Sequence, residues 1–228
     1  MTKLSRKEKE ALLDEFDRRK GLKDLFFFSK HIIGLDVVEQ THGEVCEFLS
    51  DHGKRLLLIM MPRGSFKTTI STQSYAAWRL AQDPNLRILL DSEVLQNSLN
   101  NLGVIKRIFE GHPRFRSLFG DFTSKLWTQD HITIGKRTKI TLKEPSVTAS
   151  SIETVQVGPH YDEIICDDLH SEKNSRTREQ VAQVVEHFRL LFNLLEPGGR
   201  MVVIGTRWSE FDLYGQIMEN IEGFSVIS

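Results

Sequence analysis

A lysine and two threonines follow a glycine-containing loop, and these residue types together can bind phosphate. Loop 62–66 comes after an apolar run and leads into Lys67, Thr68 and Thr69, which open a helical pattern over 70–81. Backbone amides at the start of a helix point toward an anion, and the helix dipole adds partial positive charge there. The spacing predicts a phosphate-binding loop, in which Lys67 reaches the β- and γ-phosphates of a nucleotide and the Thr68 hydroxyl lies on Mg²⁺.

The loop departs from the usual G-x-x-x-x-G-K-[ST] pattern at both glycine positions. Met61 and Phe66 occupy those positions, and Gly64 is left inside the loop. Side chains there must point away from the phosphates, and a positive φ would be strained. A plain turn between a core strand and a helix, with Lys67 merely solvated, also fits this segment alone, so the rest of the chain has to decide.

Two adjacent carboxylates supply the second chemical feature. The apolar run 161–166 predicts a buried strand that ends in Asp167 and Asp168. Paired acids at the carboxyl end of a strand suit the Mg²⁺ and water side of a nucleotide-hydrolysing site. We assign Asp167 to Mg²⁺, directly or through water, and Asp168 to polarising the attacking water. An Asp-rich turn that caps a helix is the alternative, but the Lys-Thr loop earlier in the chain favours hydrolysis.

The elements that must position these residues follow from the apolar patterns. Short apolar runs bounded by Gly, Pro or Asp predict strands, and apolar residues three and four apart predict helices. Thr177 and Gln180 form a predicted capping box at one helix start. The expected strands are 56–61, 86–91, 161–166, 201–204 and 224–227, and the expected helices are 3–20, 70–81, 95–109, 178–195 and 211–220.

Two further segments have less regular patterns. Residues 124–142 predict a β-hairpin, because apolar and polar residues alternate on both sides of Gly135. Residues 146–158, rich in Ser, Thr and Val, are predicted to form a loop.

Composition limits the class of protein. The 228 residues, 39% hydrophobic and 27% charged, suit one α/β domain, with or without an appendage. A net charge of −1 means that any nucleic-acid contact must come from a local patch or from a part outside this sequence. Cys46 and Cys166 lie in apolar contexts and are expected to be reduced core residues, as in a cytosolic protein. No apolar run approaches transmembrane length, and no signal peptide is predicted.

Three segments together resemble the N-terminal ATPase domain of the large terminase subunit of tailed phages, the motor that packages DNA. Residues 63–68 are similar to the family's R-x-x-G-K-T phosphate loop, and residues 164–171 carry the double Asp. The most specific segment is 195–215, in which a Gly-Thr-Arg-Trp sequence is followed by an Asp-Leu-Tyr-Gly helix start. The resemblance covers most of residues 36–215.

The resemblance implies a fold and a domain organisation. The fold is an α/β P-loop NTPase fold of the additional-strand, RecA-like type, with a mostly parallel central sheet flanked by helices. Strand 201–204 is expected between the phosphate-loop strand and the acidic strand. Residues 1–228 would form the ATPase domain, with a helical N-terminal segment 1–52 and a P-loop core 53–228. The family's nuclease belongs to a later domain outside these residues, so we expect the protein to continue and predict no nuclease activity here.

The resemblance also assigns site residues. Gln40 matches the family's adenine-side motif loosely. Thr206 lies at the end of the central strand, in the segment that in this family couples hydrolysis to movement. Catalytic roles fall on Arg63, Lys67, Asp167, Asp168 and Thr206. Nucleotide binding falls on Gln40, Arg63, Gly64, Ser65, Phe66, Lys67, Thr68 and Thr69, and Mg²⁺ binding on Thr68 and Asp167.

An arginine that stabilises the transition state can come from the same chain or from a neighbouring subunit. Some family members carry it at the position of Val157. Arg63 is the in-chain candidate here, and Arg176 and Arg178 are candidates for action between subunits, although a charged helix start explains them as well.

The resemblance implies ATP and Mg²⁺ as cofactors and double-stranded DNA as a partner. It further implies that a portal protein and a small terminase subunit are partners. The chain would form a homo-oligomeric ring when assembled and a monomer in isolation. The expected location is the host cytoplasm, with transient docking on the procapsid. Two other classes stay open: a helicase or other nucleic-acid ATPase of the same fold, and a nucleotide-binding module whose altered loop has lost catalysis.

Overall fold

The fold is seen in a computed structural model that describes residues 5–62, 64–154, 158–208 and 211–228. The described residues form a seven-stranded sheet flanked by helices. The strands are β1 Leu56–Met60, β2 Ile88–Ser92, β3 His131–Ile132, β4 Val147–Ser151, β5 Tyr161–Asp167, β6 Leu195–Gly205 and β7 Phe224–Ile227.

Eight α-helical segments are found in the described part of the chain. Two of them adjoin π-helical segments: Phe28–Ile32 continues α2, and Thr69–Ser74 precedes α4. The helices are α1 Arg6–Lys23, α2 Leu25–Phe27, α3 Glu39–Ser50, α4 Tyr75–Gln82, α5 Leu95–Gly111, α6 Pro113–Phe119, α7 Arg178–Leu194 and α8 Leu213–Asn220.

The strand order is β3-β4-β2-β5-β6-β1-β7, and every neighbouring pair is parallel except β3 with β4. Strand β6 therefore lies between β1, which precedes the phosphate loop, and β5, which ends in the acidic pair. The predicted fold class, a mostly parallel α/β sheet with an additional strand at this position, is confirmed.

The central strands are buried over most of their length and contain apolar runs at 57–60, 164–166 and 201–204, because both faces of the sheet are covered. Leu57 and Ile59 pack into a core formed with α2 to α6 on one face. Leu58 points the other way and packs beneath α7 and α8. This alternation fixes the register, since a slip by one residue would exchange the two faces.

Several predicted elements are confirmed. The helix predicted over 178–195 is α7, and its capping box is formed: the Thr177 side chain accepts from the Gln180 amide, and the Gln180 side chain accepts from the Thr177 amide. The terminal strand is found at 224–227 as β7. Both cysteines are buried and free, and burial raises the pKa of Cys46 to about 12.

The hairpin predicted over 124–142 is wrong. In the described residues 135–142 no strand forms, and Ile140 is 89% exposed. The amides of Thr138 and Lys139 donate to Asn85 Oδ1 at 3.0 and 2.8 Å. Ile132 and Ile134 are buried, but no second strand follows them, because the Asn85 side chain rather than a partner strand satisfies these amides.

The loop predicted over 146–158 is wrong over its first part, which forms β4. This strand pairs with β2 on one side and with β3 on the other. Its residues Val147–Ser151 are small and largely buried, so they show no apolar–polar alternation that would mark a strand. None of the helices in the described part of the chain is long and apolar enough to cross a membrane.

Candidate functional site

The carboxyl ends of three neighbouring strands bring the predicted residues together. In the sheet register Met60 pairs with Gly205, and Asp167 pairs with Ile204. The Asp168 amide donates to the Ile204 carbonyl at 2.9 Å, just beyond the end of β5. The loops that follow β1, β5 and β6 therefore leave the sheet side by side, as expected for a ligand site in a parallel sheet.

The loop after β1 turns through two residues with positive φ, Gly64 at 81° and Phe66 at 58°. The Ser65 hydroxyl donates to the Pro62 carbonyl at 2.7 Å, which closes the turn. The amide of Ile70 donates to the carbonyl of Phe66 at 2.9 Å, so the helix begins directly after this turn. Arg63 lies outside the described residues, and its predicted roles stay predictions.

Phe66 has a positive φ, a conformation that we expected to be strained at this position for any residue other than glycine. A left-handed conformation costs a residue with a Cβ roughly 1–2 kcal/mol. The Phe66 ring meets the ring of His42 on α3 edge to face, with centroids 5.6 Å apart, and is 43% exposed. The same helix carries Gln40, which is exposed in the first turn and whose side chain makes no hydrogen bond within the described residues.

Lys67 is the buried cation of the site, and only 6% of it is exposed. Its Nζ donates to Asp168 Oδ1 at 2.9 Å and to Thr206 Oγ1 at 2.6 Å. The Thr206 hydroxyl in turn donates to the Met61 carbonyl at 3.2 Å. A buried ammonium group needs such paired partners. The alternative in which Lys67 is merely solvated is therefore wrong.

Thr68 lies beside the first carboxylate. The Thr68 hydroxyl donates to Asp167 Oδ1 at 3.0 Å, and Asn101 Nδ2 donates to Asp167 Oδ2, also at 3.0 Å. Gln73 Nε2 donates to Asn101 Oδ1 at 2.8 Å and orients that amide. Burial raises the pKa of Asp167 to about 6, and the nearby Asp168 charge adds to the shift, while the two hydrogen bonds and Lys67 oppose it.

The donor set fits a magnesium ion. Mg²⁺ takes oxygen ligands at about 2.1 Å in an octahedron, which puts neighbouring ligand oxygens about 3 Å apart. The Thr68 hydroxyl and the Asp167 carboxylate oxygen are 3.0 Å apart. No group of three or more His, Cys, Asp or Glu side chains that could hold a metal occurs in the described residues. One carboxylate and one hydroxyl suit an ion that takes its other ligands from phosphates and water.

Asp168 and Thr69 are the remaining site residues that the sequence predicted. Asp168 also has a positive φ, 49°, a conformation that Asp tolerates better than most residues. Its side chain is 42% exposed, so one carboxylate faces both Lys67 and solvent. Thr69 begins the π-helical segment and is half-buried.

Asn101 and His170 are site-related residues that the sequence interpretation missed. Asn101 lies on the buried side of α5, at helical spacing from Ser98 and Ile105, and a polar residue in that register was the available signal. His170 is fully buried; its Nδ1 accepts from the Leu213 amide at 2.9 Å. Burial lowers the His170 pKa.

The glycine of the Gly-Thr-Arg-Trp segment has a packing role. A Cβ added at Gly205 would lie 2.0 Å from the ring of Tyr214 on α8. Tyr214 is fully buried, and its hydroxyl accepts from the His170 amide at 3.3 Å. The end of β6 therefore needs glycine so that α8 can pack against it.

Comparison with known proteins finds similarities in sequence and in structure. No known family profile matches the chain. The chain is 27% identical over 207 residues to the "Terminase, large subunit" of Enterobacteria phage T3, covering 86% of this chain and 33% of that protein. It thus spans about a third of the length of this relative. A DEAD box protein from the hyperthermophile Methanococcus jannaschii superposes with a TM-score of 0.42 and 12% identity, over 80% of this chain and 47% of that chain. The sequence similarity agrees with the resemblance to terminase large subunits seen in the three segments.

Proposed function

We propose that this chain is the Mg²⁺-dependent ATPase domain of a viral terminase, the motor that drives double-stranded DNA into a procapsid. The observation that carries the proposal is the buried Lys67 ammonium, held by Asp168 and Thr206 next to the paired Thr68 and Asp167 oxygens. A buried cation, a hydroxyl and two carboxylates at the carboxyl edge of a parallel sheet are the groups that phosphoryl transfer to water needs.

Each residue has a distinct role in this proposal. Lys67 supplies positive charge to the transferring phosphoryl group. Thr68 and Asp167 would hold Mg²⁺, which when bound offsets the negative charge of the phosphates. Asp168 orients and polarises the attacking water, because its carboxylate is partly open to solvent. Gly64, Ser65, Phe66 and Thr69 line the phosphate loop, and Gln40 contacts the adenine.

Thr206 is proposed to couple the nucleotide state to movement. Its hydroxyl lies between Lys67 Nζ and the Met61 carbonyl. Thr206 leads into Trp208, whose amide donates to Asp212 Oδ2 at 2.8 Å, and Asp212 caps α8. A movement of the Lys67 side chain can therefore be transmitted to α8 through Thr206 and the hydrogen bond between Trp208 and Asp212.

The assembly and its arginine are further parts of the proposal. We place Arg63 as the in-chain arginine, so that the isolated monomer hydrolyses ATP slowly. Packaging would use a homo-oligomeric ring with portal and small terminase partners, docked transiently on the procapsid in the host cytoplasm. Residues 1–228 form the ATPase domain of this proposal, and the DNA-cutting activity is assigned to a later domain.

Steady-state hydrolysis with and without DNA tests this proposal. We expect Mg²⁺-dependent phosphate release that DNA stimulates, with no strand separation on a partly duplex substrate. Strand separation that depends on ATP would instead indicate a helicase. Nucleotide binding without phosphate release would indicate a module that has lost catalysis.

A further inference from the structure

A groove of about 620 Å³ runs between the exposed side of α7 and the segment that enters α8. Its lining includes three arginines and no carboxylate. We call it the arginine groove, and the residues that matter here are Arg176, Arg178, Val181, Val185, Arg189 and Phe211.

Two of the three arginines are uncompensated. Arg178 and Arg189 make no ion pair within the described residues. They are eleven residues apart on α7, so their Cα atoms are separated by about 16 Å along the helix axis. Arg176 pairs with Glu172 at 3.6 Å, but both side chains are mostly exposed, so this pair neutralises little.

The acidic residues of α7 lie off the groove. Glu179 and Glu186 are on the flank of the helix, roughly 90° around its axis from the line that joins Arg178 and Arg189. The groove therefore keeps a local positive charge in a chain whose net charge is −1. Such a patch is what a nucleic-acid contact requires here, since the whole molecule offers no basic field.

Apolar side chains also line the groove. Val181 and Val185 are half-buried along its floor. Phe211 stands at the rim and is 76% exposed. Guanidinium groups beside an exposed aromatic ring match a ligand that has both phosphates and flat base or sugar faces.

The two sides of the groove begin at the proposed ATP site. The chain runs from Asp168 to Arg176 on one side and from Thr206 to Phe211 on the other. His170 joins the two sides, because its Nδ1 accepts from the Leu213 amide at 2.9 Å. A ligand in the groove would thus contact both segments that leave the ATP site.

We propose that the arginine groove binds the sugar–phosphate backbone of DNA and is the nucleic-acid contact of this domain. The inference rests on the proposed function for its choice of DNA over other polyanions. Arg178 and Arg189 contact phosphates, and Phe211 packs on a sugar or base face.

Fluorescence anisotropy with a labelled duplex of roughly 20 base pairs, and with one of its single strands, tests the groove. Arg189→Ala should weaken binding several-fold and reduce the slope of log K against log salt by about 0.9 on duplex or about 0.7 on single strand. Phe211→Ala should weaken binding with an unchanged slope, because the ring carries no charge. Both variants alter exposed side chains, and their melting temperatures should equal that of wild type.

Arg107→Ala is the matched control, since Arg107 is exposed on α5 and makes no ion pair in the described residues. Equal weakening of DNA binding by Arg107→Ala and Arg189→Ala would overturn the proposal that the groove binds DNA. A wild-type protein that binds neither the duplex nor the single strand would overturn it as well. A glutamate-rich peptide that displaces DNA at equal charge concentration would show a protein partner instead. Basal ATP hydrolysis by Arg189→Ala should equal that of wild type. The ATPase proposal is therefore unaffected if the groove does not bind DNA. DNA binding by a protein that does not hydrolyse ATP would overturn only the ATPase proposal.

Discussion

At the residue scale, Asp167 is held where its charge is unfavourable without a cation. Its carboxylate is 6% exposed and lies next to Asp168 in the chain. Burial raises its pKa from 3.8 to about 6, even though Thr68 and Asn101 donate to it. A carboxyl group in this state gains by binding a metal ion, which is the electrostatic logic of the proposed Mg²⁺ site.

This shift predicts a pH-dependent stability. Because the folded pKa lies above the unfolded one, the folded state binds the extra proton between about pH 4 and 6. The free energy of unfolding should therefore fall by about 2–3 kcal/mol over that window as pH rises. Asp167→Asn should lack this fall and be more stable than wild type at pH 8 in EDTA, and urea unfolding between pH 4 and 8 measures the difference. Parallel curves for the two proteins would show that Asp167 is not perturbed.

Asp168 is expected to act on the water rather than on the nucleotide. Asp168→Asn should keep nucleotide binding and lose the hydrolysis rate by about 10²-fold or more, the usual size of a general-base contribution. Binding is measured with a fluorescent ATP analogue, and rate by phosphate release. Glu172→Gln is the control, because Glu172 is the other acid near this loop. If Asp168→Asn hydrolyses normally and Glu172→Gln does not, the roles are reversed.

Phe66 provides a test of backbone strain. Its φ of 58° penalises any side chain, so Phe66→Gly should be more stable than Phe66→Ala by about 1 kcal/mol. Both variants lose the contact with His42, which makes the comparison a matched one. Urea unfolding of the two variants measures the difference, and an alanine variant at least as stable as the glycine variant would contradict the strained geometry.

At the element scale, β6 connects the proposed ATP site to α8. Thr206→Val removes a hydroxyl that bridges Lys67 and the Met61 carbonyl but keeps the shape of the side chain. In the full-length motor we expect packaging to fall more than ATP affinity does. Packaging equal to wild type would mean that Thr206 only satisfies local hydrogen bonds at the strand end.

The elements that sequence patterns predicted are those whose burial has a simple periodicity. Strand β1 and helix α7 were predictable, since one is apolar throughout and the other has an apolar face and a capping box. Strand β4 was not, because small Ser and Thr residues are buried between two neighbouring strands. The hairpin prediction failed because no strand forms after Gly135: Ile140 is exposed, and the amides of Thr138 and Lys139 donate to the Asn85 side chain.

The candidate site was also predictable from the sequence only in part. Lys67 and Asp168 are adjacent because parallel strands deliver their carboxyl ends to one edge, and chain order alone indicates this. Asn101 could not be assigned, since its contact with Asp167 depends on how α5 packs against the sheet. The positive φ of Asp168 gave no sequence signal either.

At the scale of the whole molecule, a nearly neutral chain concentrates its chemistry at one edge of the sheet. The proposed ATP site lies at the carboxyl ends of β1, β5 and β6, and the arginine groove lies beyond it between α7 and α8. The segments that follow Asp168 and Thr206 run from the first to the second. This arrangement suits a motor, because hydrolysis and the DNA contact would share the same two segments.

The central claim is that this edge hydrolyses ATP through Lys67. The most direct measurement is Mg²⁺-dependent phosphate release by purified wild type, Lys67→Ala and the control Lys54→Ala, each checked for folding by its melting temperature. We expect Lys54→Ala to hydrolyse like wild type and Lys67→Ala to lose activity by at least about 10²-fold, because the charge that stabilises the transferring phosphoryl group is gone. A folded Lys67→Ala protein that releases phosphate at the wild-type rate would contradict the account.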